Sequence, residues 1–275
     1  MTMTPPPTLA PAGPSGRPSL RDGFRGPRLR ARVRAALLHL LLSAVVCGGL
    51  AGLVLWLMYP SPYFTAAGGG RLIGMIALVD LCIGPALTFA VFDTRKRSLR
   101  MDLALIGVVQ VAALAYGLHA LALGRPVFLT WAVDRFELVS AAEVDPRELR
   151  QAPESMRELS WTGPRVVGTT RPESGPEREQ LDALVMAGMD LRHLIHRYQP
   201  YDALRADVLA RAKPVAALRD LNPPAALDAA LGDAGLADRR DTLRWAPVSG
   251  RHTDLVALID GERGDLLRVV RLRPW

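Results

Sequence analysis

Only two cysteines occur among the 275 residues, Cys47 and Cys82, and both fall in apolar runs. An exported part of this chain therefore carries no disulfide of its own and no thiolate for a structural zinc site. Counted from the outer helix ends, both cysteines lie roughly 15 Å deep and could be neighbours, but they read as small packing residues. Gly-x-Ser-x-Gly, a phosphate-cradling glycine loop and His-Glu-x-x-His are also missing. Acids are so numerous after residue 124 that a chance pair of carboxylates carries no information. No positive case for an enzyme and no cofactor site is left. The nearest approach to a metal site is His193 and His196 on one helical face, with His252 far along the chain. Without a cysteine outside the apolar runs or a Glu placed as a base, these read as solvated helix histidines.

Three long apolar runs are present: Ala35 to Met58, Leu72 to Phe92 and Leu103 to Leu123. At about 1.5 Å per residue each can cross a hydrocarbon core of roughly 30 Å. The first is too long for the apolar part of a signal peptide and reads as a retained span. No comparable run follows Leu123.

A basic pI suggests nucleic acid until the charge is located. Residues 1 to 123 hold 12 Lys+Arg and 4 Asp+Glu, whereas residues 124 to 275 hold 22 and 23. The excess thus flanks the spans, and nucleic-acid binding loses its support. Arg21, Arg25, Arg28, Arg30, Arg32 and Arg34 precede the first span, and Arg95, Lys96, Arg97 and Arg100 separate the second from the third. The loop from Tyr59 to Arg71 holds one positive charge, at its end. Positive-inside asymmetry puts the N-terminus in the cytoplasm and everything after Leu123 outside, which in a bacterium is the periplasm.

The predicted layout is a disordered, Pro-rich and basic cytoplasmic tail (1–34), a three-helix transmembrane region (35–58, 72–92, 103–123) and a periplasmic α+β domain (124–275). In that domain "RPVFLTWAVDRFELV" reads as one long strand and "EREQLDALVMAGMDLRHLIHRY" as a helix. "DLVALIDGERGDLLRVVRL" reads as a hairpin, joined by "TLRWAPV". The expected sheet is antiparallel, of about four strands, with helices on one face.

The polar residues inside the spans stand out. Asp80 lies about 12 Å from the outer edge of the second span, and an ionisable group there faces protein or a partner. Tyr116 of the third span and Gly52 of the first fall at similar depth, whereas Gln110 and His119 do not. A Tyr116 hydroxyl donating to Asp80 is the expected internal pair. Gly84-Pro85 breaks a backbone hydrogen bond and kinks the second span, and Gly48-x-x-x-Gly52 lets a helix approach the first. Either an internal polar clamp or a docking face for another transmembrane helix fits these residues.

Taken together, "VDLCIGPALTFAVFD", "DLALIGVVQVAALAYGLHAL", "RPVFLTWAVDRFELV", "WTGPRVV", "MDLRHLIHRYQPY", "RAKPVAALR" and the closing "DLVALIDGERGDLLRVVRLRPW" resemble the TfpX/TfpZ family of type IV pilin accessory proteins. The first span matches only in type and position. The resemblance implies a non-enzymatic, chaperone-like protein of the bacterial inner membrane that helps a type IV pilin to be stabilised or assembled. Its partners would be the transmembrane helix and periplasmic head of the major pilin, with lipid around the spans and self-association left open. Asp80, Gly84, Pro85, Gln110, Tyr116, Gly48 and Gly52 become candidates for contact with the pilin helix. Asp134, Arg135, Tyr198 and Tyr201 match family-like positions in the exported domain, although an Asp134–Arg135 pair and helix-capping tyrosines account for them structurally. A membrane-anchored periplasmic sensor or scaffold is the alternative. Alkaline-phosphatase fusions are expected to be active after Gly124 and inactive after Arg97; the reverse pattern would overturn the orientation.

Overall fold

The computed structural model describes residues 27–172 and 174–275. The predicted tail, with Arg21 and Arg25, lies outside the described residues up to residue 26. Three helices are long and apolar enough to cross a membrane. The first, Pro27–Met58, begins eight residues before the expected span, so residues 27–34 are helix rather than tail. Arginines fit a helix end because their stems lie on apolar surface while the heads reach polar groups. Arg32 Nε donates to the carbonyl of Phe92 at 2.8 Å, the residue that caps the second span. That span runs as Gly69–Ala77, a π-helical turn Leu78–Ile83 and Gly84–Val91. The third is Leu99–Gly124.

The remainder folds on an eight-stranded sheet. Its strands are β1 (Pro126–Ala132), β2 (Arg135–Ser140), β3 (Arg165–Thr169), β4 (Gln199–Pro200), β5 (Lys213–Pro214), β6 (Leu243–Ser249), β7 (Leu255–Asp260) and β8 (Leu266–Val270). They are ordered β4-β3-β1-β2-β6-β7-β8, with β5 added on β6. The β1–β3 and β2–β6 pairs are parallel and the others antiparallel. This corrects the expected four-stranded antiparallel sheet. Parallel partners come from distant segments and leave no local turn signal, and β4 and β5 are only two residues each.

The expected long strand is itself a hairpin, β1–β2. It reverses at Val133, whose φ is +62°, with the Asp134 amide donating to the Ala132 carbonyl at 2.8 Å. This three-residue turn uses a β-branched residue at positive φ, which costs about 1–3 kcal/mol and has no glycine or asparagine at that position to announce it. The expected helix from Glu177 likewise stops at Met186, where Gly188 at φ +90° closes it by bonds from its own amide to Val185 and from Met189 to Leu184. Two 3-10 turns, Leu191–His193 and Ile195–Arg197, carry the apolar spacing onward.

Strands β1 and β7 are buried along their whole length because both sheet faces are covered, not one as expected. On one face Leu129, Trp131, Phe136, Ala257 and Ile259 pack with Tyr201, Leu204 and Val208. On the other, Trp245, Val256 and Leu258 meet Leu227 and Leu231 of the helix Pro224–Asp233, while Phe128 and Val139 meet Ile195 and Tyr198.

The loop between the first two spans is not a simple interfacial turn. Its short helix Tyr63–Ala66 enters the first of these cores, where Ala66 is fully buried and its carbonyl accepts the His252 amide at 3.0 Å. Burial pushes the Tyr63 phenol up to about 12. The loop and the sheet therefore lie at the same end of the helical bundle.

At the tip of the β7–β8 hairpin Asp260 Oδ1 accepts the amides of Glu262 and Arg263 at 2.9 and 3.0 Å, and Oδ2 accepts Arg239. These bonds hold the Asp260 carboxyl down at about 2, below its ordinary 3.8. The ionised form's stabilisation is complete above about pH 4–5 and is lost as pH falls toward 2. Asp260→Asn is expected to cost about 1–2 kcal/mol at neutral pH. In melts of the full-length protein the gap to wild type should narrow as pH falls from about 5 toward 2; a gap independent of pH would refute the assignment.

Candidate functional site

The site starts from the second span's broken hydrogen-bond ladder. Pro85 has no N–H to donate to residue 81, and the π-helical turn just before it absorbs the mismatch. Asp80 sits in that turn, 4% exposed. Directly after it, Gly84 has no side chain, and a Cβ there would come within 2.1 Å of Gln110 Nε2. The missing side chain is what admits Gln110 of the third span. One heptad on, Gly117 receives Ile76 in the same way.

Gln110 is the hub. Its Nε2 faces the Asp80 carbonyl and Oδ1 at 3.4 and 3.5 Å, and its Oε1 lies 2.6 Å from His39 Nε2. The other nitrogen of His39 is 2.6 Å from Thr88 Oγ1. Asp80 Oδ2 accepts the Cys47 thiol at 3.4 Å. A chain Thr88–His39–Gln110–Asp80–Cys47 thus links all three spans, satisfying polar groups that lipid cannot.

This corrects the expected Tyr116–Asp80 pair. Tyr116 is 75% exposed on the third span. Six residues separate it from Gln110, about 120° around the helix, so the two cannot both face the second span. The depths differ from those counted along the apolar runs as well, because the second span starts at Gly69 and the third runs to Gly124. Sequence reasoning missed His39 and Thr88 altogether; the signal available was simply that both are polar residues inside apolar helices.

The first and third spans each pack against the second and hardly touch each other. Between them runs a groove of about 470 Å³ with Leu42, Val46 and Val111 on its walls and Asp80, Thr88 and Gln110 at its base. Gly48 and Gly52 have nothing within 4 Å of where a Cβ would stand, so the close helix approach expected there is absent among the described residues.

In the sheet domain, Asp134 and Arg135 pair at 2.9 Å on the exposed β1–β2 tip. Tyr198 and Tyr201 are buried, and burial raises both phenols. Their hydroxyls donate to the carbonyls of Arg192 and Gly264, respectively, which places them in the core and not on a contact surface. His193 and His196 lie on the two successive 3-10 turns, not on one helical face, and His196 Nδ1 meets Glu148. The His252 ring packs over Gly68.

Gln110→Leu is expected to lower stability by about 0.6–1.7 kcal/mol, the range of interhelical hydrogen bonds in membranes. Tyr116→Phe should be silent. Thermal midpoints of the detergent-solubilised protein compare the two; equal effects would show that Gln110 is not the hub.

Comparison with known proteins gives the site a context. The family model for the fimbrial assembly protein FimB matches residues 27–68, which are the first span and the loop that enters the sheet core. The chain is 30% identical over 181 residues to a fimbrial assembly protein of serogroup E1 from Dichelobacter nodosus, covering 65% of this chain and 70% of that protein. It is 36% identical over 117 residues to the protein of serogroups C1 and C2 from the same organism, covering 42% and 89%. No solved structure matches. The chain belongs to the fimbrial assembly protein family.

Proposed function

We propose that this protein is a non-enzymatic, chaperone-like accessory factor of type IV pilus assembly, whose membrane groove receives the apolar helix of a pilin subunit. The observation that carries the reading is the groove between the first and third spans. Two helices that share a neighbour but hardly touch each other leave a slot of helix-binding character, apolar on its walls and polar at its base. Small residues on its lining, Ala35, Ser43 and Gly107, let a helix approach closely. The TfpX/TfpZ resemblance supplies the pilin as occupant, and membership of the fimbrial assembly family agrees with it.

On this reading the protein sits in the inner membrane with its N-terminus cytoplasmic and its sheet domain periplasmic. The head of the same pilin would then meet the sheet domain. The β1–β2 tip is the best-placed surface, since Val133, Asp134 and Arg135 are exposed there and the Arg135 guanidinium stands 5.8 Å over the exposed Trp275 ring.

In vivo photocrosslinking tests the groove directly. Probes at Val46 and Val111, on its walls, are expected to capture the major pilin; probes at the exposed, outward Leu41 and Val108 are not. Equal capture from all four would refute the groove. Normal piliation and unchanged pilin levels in a deletion strain would sink the functional reading as a whole.

A further inference from the structure

A second cleft, of about 480 Å³, lies where the sheet domain meets the ends of the second and third spans. Its position follows from the chain path. Gly68, at φ +76°, starts the second span, and Gly124 ends the third, so the cleft stands at the level where helices leave hydrocarbon for headgroups. Its two halves differ in chemistry. The membrane half is lined by Leu72, Met75, Ala120 and Leu123. The domain half carries Arg71, from the first turn of the second span, and Arg251 and His252, from the turn between β6 and β7.

Neither arginine forms an ion pair among the described residues, whereas Arg205 and Arg239 of the sheet domain each pair with an acid. The one acid on the wall, Glu143, is turned to Ser140, accepting its amide and hydroxyl at 2.8 and 2.7 Å. The second span's first turn has no side-chain cap either, so its amides add positive potential on the same side. Unpaired guanidinium groups above an apolar wall, at headgroup height, fit one ligand class. We propose that this cleft binds an anionic phospholipid of the leaflet facing the sheet domain, with its phosphodiester against Arg71 and Arg251 and an acyl chain along Leu72, Met75 and Leu123. A free phosphate would use the arginines and leave the apolar wall without a role.

Bound lipid would bridge the second span and the β6–β7 turn, beside the bond by which the His252 amide already ties that turn to Ala66 of the preceding loop helix. Occupancy therefore stiffens the angle between bundle and sheet. The inference rests on the spans crossing a membrane, not on pilin binding.

Native mass spectrometry of the full-length protein in detergent tests it, with phosphatidylglycerol and phosphatidylethanolamine offered at equal concentration. Wild type is expected to retain phosphatidylglycerol preferentially. Because a basic residue near an anionic headgroup is worth about 1 kcal/mol, each of Arg71→Gln and Arg251→Gln should weaken retention about fivefold. Both arginines are exposed, so the variants should melt as wild type does. Equal retention of the two lipids, or unchanged retention in the double variant, would overturn the proposal. Displacement by millimolar inorganic phosphate would also overturn it, by revealing a bare anion site.

Discussion

One side-chain amide holds the membrane half together. A glutamine inside apolar helices loses its hydrogen bonds to water and must find every replacement in the protein, because lipid offers none. Gln110 finds them at both ends, with His39 on its oxygen and Asp80 on its nitrogen. The position is possible only because Gly84 has no side chain and because the π-helical turn before Pro85 presents Asp80 at the same level. This bridge joins the first and third spans beside the groove, and Gln110 forms part of the groove's polar base with Asp80 and Thr88.

The sheet domain is tied to that bundle by covalent topology and by packing. The third span runs into β1 with only Arg125 between them, and this residue is nearly buried. Its guanidinium stacks 3.8 Å over Trp161 while donating to the carbonyls of Ser160 and Ala122. Arginine at a helix C-terminus also complements the dipole of the last turn. Ala66, fully buried in the sheet core, supplies a second attachment from the other loop, and that loop is itself held to the third span by the Tyr59 hydroxyl, which donates to the Leu121 carbonyl at 2.6 Å. Two separate anchors around one junction oppose independent rotation of the domain. The groove and the exposed β1–β2 tip are accordingly presented in fixed relation.

What could be read from the chain depended on whether the cause was local. Apolar length announced the three long helices, because it is summed over neighbouring residues. The β7–β8 hairpin was legible from Gly261 and Gly264, the latter at φ +73°. The β1–β2 hairpin was not, since Val133 adopts positive φ without any glycine, asparagine or proline to signal it. Parallel pairing of β1 with β3, and of β2 with β6, depends on segments brought together only by the whole fold. Inside the spans, depth counted from the apolar runs shifts with the true helix bounds, and rotational phase could not be counted at all. Tyr116 was therefore the reasonable partner for Asp80, and Gln110, one face round the helix, is the actual one.

The phase also bears on what Asp80 is for. A carboxyl group has acceptor sites for about four hydrogen bonds when ionised. Here its side chain receives a thiol at 3.4 Å and an amide at 3.5 Å, both weak and long. An acid whose only task was to lock the bundle would gain more from a hydroxyl or a guanidinium at 2.7–2.9 Å. Asp80 instead holds its neighbours loosely while its remaining acceptor capacity borders the groove. On the function proposed above, internal clamp and docking face are compatible, because the acceptor capacity that Cys47 and Gln110 leave unused on Asp80 borders the groove and is open to a donor on a docking helix.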